Sequence, residues 1–278
     1  MLRFMKFVTV AVVLSGFIVA SPIWGQPIWL NQSQSNGNFL AVEFMKPSFK
    51  LDNDLTFLSS AWFVSGRFLI RNNLFLVGEI PIAHGKIDGE FGSSDSETIL
   101  GNPYGGVEIR RSGSNIFGEI GLRVPIAADD KYIATGVGQL ADSDRLEAFI
   151  PDVFAIVGRL NYQSTSASNI MFRLRGGPTL FTNADNYFED NTELLIDYSV
   201  QVGFSGQMII IVGGLTGRYF ATADDGDFGE KSLHQLGVTA SLNGRKVKPG
   251  VHFRLPLDDD LKDVIDFVFG LNLSVYLQ

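Results

Sequence analysis

A chain of 278 residues with no cysteine and a formal net charge of −8 excludes several classes at once. Disulfides, thiolate metal sites and lipid-modified cysteines are ruled out, and there is no basic surplus with which to meet nucleic-acid phosphate. The mean hydropathy of +0.15 is well below that of a helical membrane protein.

In chain order, the first feature is a targeting segment. Arg3 and Lys6 precede an uncharged, mostly apolar run over 7–20, and Ala20, Ser21 and Gly25 offer small residues for cleavage. That run is too short for a spanning helix, which needs about 20 apolar residues, so 1–25 reads as a signal peptide and 26–278 as one domain. Loss of Arg3 and Lys6 takes the charge from −8 to −10. No later stretch reaches the length of a spanning helix, so membrane residence falls to strands.

From Phe39 onward, apolar and polar residues alternate. Near the C-terminus Ile265, Phe267, Phe269, Leu271, Leu273, Val275 and Leu277 fall on one face. Asp266, Gly270, Asn272 and Ser274 fall on the other. Strand side chains alternate between faces, so this is one greasy side and one polar or small side. The same test predicts twelve strands: 39–49, 55–70, 73–83, 102–111, 115–125, 149–162, 169–181, 193–205, 207–220, 231–242, 247–257 and 264–277. Most match the roughly 9–11 residues of a tilted membrane strand and exceed the roughly 5–6 of a soluble one.

The predicted connections alternate too. Those at 71–72, 112–114, 163–168, 206 and 243–246 are short. Those at 84–101, 126–148, 182–192, 221–230 and 258–263 are mostly much longer. Of the 30 acidic residues, 22 fall in the long-loop set once Asp52 and Asp54 of the connection 50–54 are counted with it, whereas the short turns carry Arg71, Arg245 and Lys246. The expected fold is therefore all-β: a transmembrane antiparallel β-barrel of about twelve strands (ten to fourteen), with short periplasmic turns and long acidic extracellular loops. A soluble β-sandwich or jelly roll is the alternative. It gives no reason for sorting loops by length, and it leaves greasy faces in water.

Gly101-Asn102-Pro103-Tyr104-Gly105-Gly106-Val107-Glu108-Ile109-Arg110 opens a strand just after a long loop, and the preceding strand ends Gly78-Glu79-Ile80-Pro81-Ile82-Ala83-His84-Gly85. This combination resembles the outer-membrane transporter family named for the meta-pathway of phenol degradation. The resemblance implies an exported outer-membrane barrel that transports solutes. The ending Tyr276-Leu277-Gln278 departs from the terminal aromatic residue of many such barrels.

The polar strand faces supply the candidate lumen. They carry Arg67, Arg110, Arg123, Arg173, Arg175, Arg218 and Arg254 against Glu43, Glu79, Glu108, Glu119 and Asp197. One reading is a charged eyelet that selects small polar or anionic solutes. The other is an internal ion-pair network filling a narrow barrel. Twelve strands lie between the filled eight-stranded barrel and the aqueous porin, and so allow both. Phe63, Phe75 and Tyr104 also point to the lumen, while Trp62, Phe68, Tyr198, Phe204, Tyr219 and Phe267 are expected to face lipid.

Other chemistry is thinly represented. The acidic run 224–230 lacks the spacing of a calcium loop. Ser232 and His234 share a strand face, as a hydrolase pair would, but that face is the apolar one. No metal site, cofactor or catalytic residue is expected. The expected function is passive or facilitated passage of small solutes, and the alternative is a closed barrel whose long loops, above all 126–148, bind a partner. The expected partners are outer-membrane lipid and lipopolysaccharide, the barrel assembly machinery and a small solute, with no nucleic acid.

Overall fold

The structure is a computed structural model that describes residues 37–50, 59–88, 94–183, 192–223 and 226–277. The signal-peptide segment 1–25 and the Asp224-Asp225 pair of the acidic run lie outside these residues.

The alternation read from the sequence becomes a wall of strands: β1 Asn38–Phe49, β2 Ser60–Arg71, β3 Leu74–Asp88, β4 Ser94–Leu100, β5 Tyr104–Ile109, β6 Ile116–Arg123, β7 Val153–Thr165, β8 Ile170–Asn183, β9 Thr192–Ser205, β10 Ile209–Phe220, β11 Ser232–Leu242, β12 Val247–Pro256 and β13 Ile265–Leu277. Each pairs antiparallel with its neighbours. β1 pairs with both β2 and β13, so the sheet closes on itself. β4 and β5 form a single stave. β4 runs beside Ile82–Asp88 of β3, and β5 beside Leu74–Glu79 of the same strand. The barrel therefore has twelve staves, one of them broken at 101–103.

Two departures from the expected strands have physical causes. The segment 84–101, expected as a loop, is largely ladder: β3 continues to Asp88 and β4 begins at Ser94. Only Ile99 of β4 is buried. This hairpin rises beyond the apolar band, where neither face must be greasy and the period-2 signal fades. Ile265, expected outside, joins an interior cluster with Val264 and Val268, because the β1–β13 register shifts at Ser48/Phe49.

The turns at one rim are tight and use the residues that tight turns need. Asn73, Asn169 and Gly113 all sit at positive φ there, a conformation open to Gly and tolerated by Asn. On the wall, Phe269, Leu271 and Leu273 point outward and stay exposed, while Gly270, Asn272 and Ser274 between them are buried. Outward apolar bands of this kind suit hydrocarbon, and closure leaves no unpaired edge. No helix among the described residues is long and apolar enough to cross a membrane.

The largest surprise lies at 126–148. It was expected as an exposed acidic loop, but it folds inward. It forms α1 Tyr132–Ala141 and a 3-10 helix at Ser143–Phe149. Every residue of the 3-10 helix is buried inside the barrel.

Candidate functional site

The candidate lumen residues keep the strand phase predicted for them. Arg67, Glu79, Glu108, Glu119, Arg123, Arg173, Arg175, Asp197, Arg218 and Arg254 are all buried in the interior. Arg110, at the end of β5, is only partly buried and stacks on the Phe117 ring at 4.4 Å. Glu43, Phe63, Phe75 and Tyr104 also point in. What the sequence did not show is how these residues divide.

In the half nearer the long loops, the wall residues close around the inserted segment. Asn102, which interrupts the β4–β5 stave, is the dock. Its amide donates to the carbonyls of Glu147 (3.0 Å) and Ile150 (2.5 Å). Its Oδ1 accepts from the N–H groups of Ile126 (2.8 Å) and Ala127 (2.9 Å). Its backbone N–H donates to the Ala148 carbonyl at 2.7 Å. One fully buried side chain thus ties down both ends of the inserted segment. Gly101 permits the approach, since a Cβ there would lie 2.2 Å from the Ala148 oxygen. The segment that carries the family resemblance is, structurally, this docking joint.

The N-terminus of α1 is capped from outside. Lys131 makes no side-chain cap. Instead Glu97 of β4 accepts from the N–H groups of Ile133 (2.7 Å) and Ala134 (3.2 Å). That placement satisfies two orphan donors and sets a negative charge at the positive end of the helix dipole.

Arg145 is the hub. It lies 3.5 Å above the Phe63 ring, and its nitrogens reach Asp142 (2.5 Å), Glu79 (2.7 Å) and Glu43 (2.5 Å). From the opposite wall, Arg254 reaches Asp142 at 2.6 Å. Arg218 reaches Glu147 at 3.4 Å and donates to the Asp144 carbonyl. Thr216 donates to the Asp144 carboxylate at 3.0 Å. Arg123 bridges Glu79 (2.9 Å) and Glu147 (3.3 Å). The segment therefore spans the lumen from β1, β3 and β6 to β10 and β12. Asp142, Asp144 and Glu147, expected on the outer rim with the other loop acids, are lumenal counter-ions, because buried arginines need paired carboxylates more than the rim does.

Arg159 was missed, although it keeps the inward phase of Val153, Ala155 and Val157. It pairs with Asp197 and reaches Thr179 at 2.7 Å. A signal for the inserted acids was present as well. Seven lumenal arginines against five acids left two positive charges that a closed network would have to neutralise.

Outside the barrel, near the long-loop rim, Tyr198 crosses Gly217 to meet His234, with its hydroxyl 2.6 Å from Nε2. Nδ1 of the same ring lies 3.0 Å from Asp258. Both nitrogens are thereby engaged, and Ser232 is not a partner of either. Tyr219 stacks on Phe228 beside this group, with centroids 5.3 Å apart. These aromatic side chains lie on the outer surface of the wall, the face the alternation assigns to them. In the acidic run, Asp227 accepts from the N–H groups of Gly229 (2.8 Å) and Glu230 (3.1 Å), binding its own turn.

Comparison with known proteins follows the wall rather than the letters. No protein-family model matches the chain, and no curated protein sequence matches it. Solved structures do. An outer-membrane channel from Pseudomonas putida F1 superposes with a TM-score of 0.58 at 10% identity, over 88% of this chain and 97% of that one. The translocator domain of the autotransporter NalP from Neisseria meningitidis gives 0.54 at 7% identity, over 99% and 96%. With a closed ring of twelve antiparallel staves, an outward apolar band and these likenesses, the chain has the fold of an outer-membrane β-barrel.

Proposed function

We propose that this protein is an outer-membrane channel for small solutes, with the inserted segment 126–150 as its constriction. Export by the N-terminal segment, contact with lipid and lipopolysaccharide, and insertion by the barrel assembly machinery belong to the same reading. The observation that carries it is how the segment is held. It is anchored at both ends to one joint and fixed across the lumen by ion pairs, while the strand pairings that close the wall are made between strands alone, the broken stave at Asn102 excepted. Such a segment can leave or shift without opening the wall. Leu146, Phe149 and Ile150 also pack on apolar wall residues, so the polar path on displacement runs along the ion-paired side of the segment.

The alternative, a closed barrel whose long loops bind a partner, loses its principal support, because the longest loop is folded inside.

Single-channel recording in a planar bilayer tests the reading. The refolded protein is expected to give small, discrete steps. Replacing 127–150 by a short Gly-Ser turn between β6 and β7 is expected to raise conductance several-fold. If the deleted variant is folded, inserted and still silent, the channel reading fails.

A further inference from the structure

The outer surface of the wall carries a groove of about 980 Å³ that crosses from β10 to β2. Its floor is the row Ser241, Gly250 and Asn272, paired neighbours on β11, β12 and β13. Ser241 and Asn272 are buried towards the lumen, so they meet the groove with their backbone. On the side of the short turns the bank is Leu242, Pro249, Leu273 and Val42. The opposite bank is Ala240, Val251, Leu271 and Phe44, ending at Trp62. The Phe44 and Trp62 rings meet edge to face, with centroids 4.8 Å apart.

Two residues open the groove. Pro249 has no N–H to give to a ladder, and the β11–β12 pairing stops at Ser241 and Gly250, leaving Leu242 and Pro249 outside it. Ala240 puts a single methyl on a face where Val238 and Leu242 put larger groups. The low end lies at the rim. Leu242 closes β11, and the next residues are the turn 243–246, where Arg245 and Lys246 are both exposed. The described short turns hold no acidic residue. An apolar groove that starts at two exposed cations complements an amphiphile with an anionic head and a hydrocarbon tail. A second copy of the chain is a poor match. A two-fold contact sets the same patch on both partners, so Arg245 and Lys246 would meet their own copies with no acid between them.

We propose that this groove seats an acyl chain of one anionic glycerophospholipid, with its phosphate held by Arg245 and Lys246. The guanidinium fork of Arg245 suits two phosphate oxygens, and Lys246 adds a point charge. The chain passes from hydrocarbon to an apolar groove, so its burial gains little. The head sets the preference and the groove sets the place. With short turns on the periplasmic side, the lipid belongs to the inner leaflet, whose lipids are glycerophospholipids. The site depends on that placement in the membrane and not on whether the lumen conducts.

Trp62 reports the occupant. The sequence holds three tryptophans, so the full chain carrying Trp24→Phe and Trp29→Phe keeps Trp62 alone. The test is quenching of its fluorescence in phosphatidylcholine vesicles that contain a minor share of phosphatidylglycerol brominated on the acyl chains. The same share of brominated phosphatidylcholine is the reference. Phosphatidylglycerol is expected to quench as though enriched about fivefold or more beside Trp62. Arg245→Gln with Lys246→Gln is expected to abolish the enrichment. Ala240→Phe, which fills the groove and keeps both cations, is expected to abolish it too. Arg111→Gln, at the turn between β5 and β6, is expected to leave it unchanged. Heat-modifiability on gels checks folding, and Ala240→Leu replaces Ala240→Phe if that variant fails it. Equal quenching by the two lipids overturns the site, as does enrichment that survives in folded Ala240→Phe or Ala240→Leu. An equal loss in Arg111→Gln overturns it as well, in favour of a diffuse attraction to the whole rim. A dimer in sedimentation that the Ala240 variant disperses gives the groove to a second copy instead. Conductance of the same preparation reads the channel separately, so either reading can fail alone.

Discussion

At the scale of single residues, Arg145 carries the most consequence. Three carboxylates from three parts of the chain converge on it, and all are buried. Arg145→Met keeps most of the volume but leaves Glu43, Glu79 and Asp142 facing one another. Breaking a buried pair from one side costs about 3–5 kcal/mol. The expected outcome in urea unfolding from vesicles is a loss of that order, together with larger single-channel steps as the carboxylates push the segment out. An unchanged midpoint would mean that the network is not as tightly coupled as its geometry. The sequence did not expose this residue. Arg145 lies in a loop rich in acids, where a lone arginine reads as solvated, and no strand phase marks it as inward. The wall arginines were legible for the opposite reason: a period of two assigns each one a face.

At the scale of elements, the broken stave explains how a long loop becomes an internal one. Gly101-Asn102-Pro103 ends β4, interrupts the ladder and restarts it at Tyr104. The gap exposes backbone and one amide to the inserted segment. The absence of cysteine makes this joint easy to probe. Ala148→Cys, fully buried in the wild type, is expected to resist a membrane-impermeant maleimide. Adding Gly101→Ala, whose Cβ would lie 2.2 Å from the Ala148 carbonyl, is expected to make it react at least about tenfold faster as the joint opens. Equal labelling rates would show that the segment is held elsewhere. The letters of this joint were visible in the sequence and suggested a family. Their mechanical role was not, because close backbone approach depends on two segments meeting in space.

At the scale of the whole molecule, the channel reading makes the outward apolar band the membrane frame. Leu271 sits midway along β13 and faces out, 45% exposed. Leu242, also facing out, closes β11 at the short-turn rim. Arginine on the lipid face costs about 2–4 kcal/mol at the midplane and about 0–1 near an interface. Leu271→Arg is therefore expected to lose the larger amount in vesicle unfolding and Leu242→Arg the smaller. Equal losses would shift the band. Strand number and closure were legible because a closed wall with an apolar outside repeats every second residue along most of its staves, β4 excepted. The filled lumen was not, because nothing in a single sequence says that an acidic loop prefers buried arginines to water.

The ion pairs that hold the inserted segment also impose an order of assembly. Arg145 meets Glu43 across 102 residues of sequence, and Arg254 meets Asp142 across 112. Contacts of such long range repay their chain entropy only after much of the intervening chain is ordered. The segment is synthesised before β7, yet part of its binding surface lies on β10 and β12. Arg123 of β6 and Arg145 within the segment can neutralise Glu147 and Asp142 early, whereas the pairs with Arg218 and Arg254 must wait for β10 and β12. The cross-lumen half of the network is therefore expected to form only after β10 and β12 have joined the wall, which separates the docking of the segment at Asn102 from its final fastening.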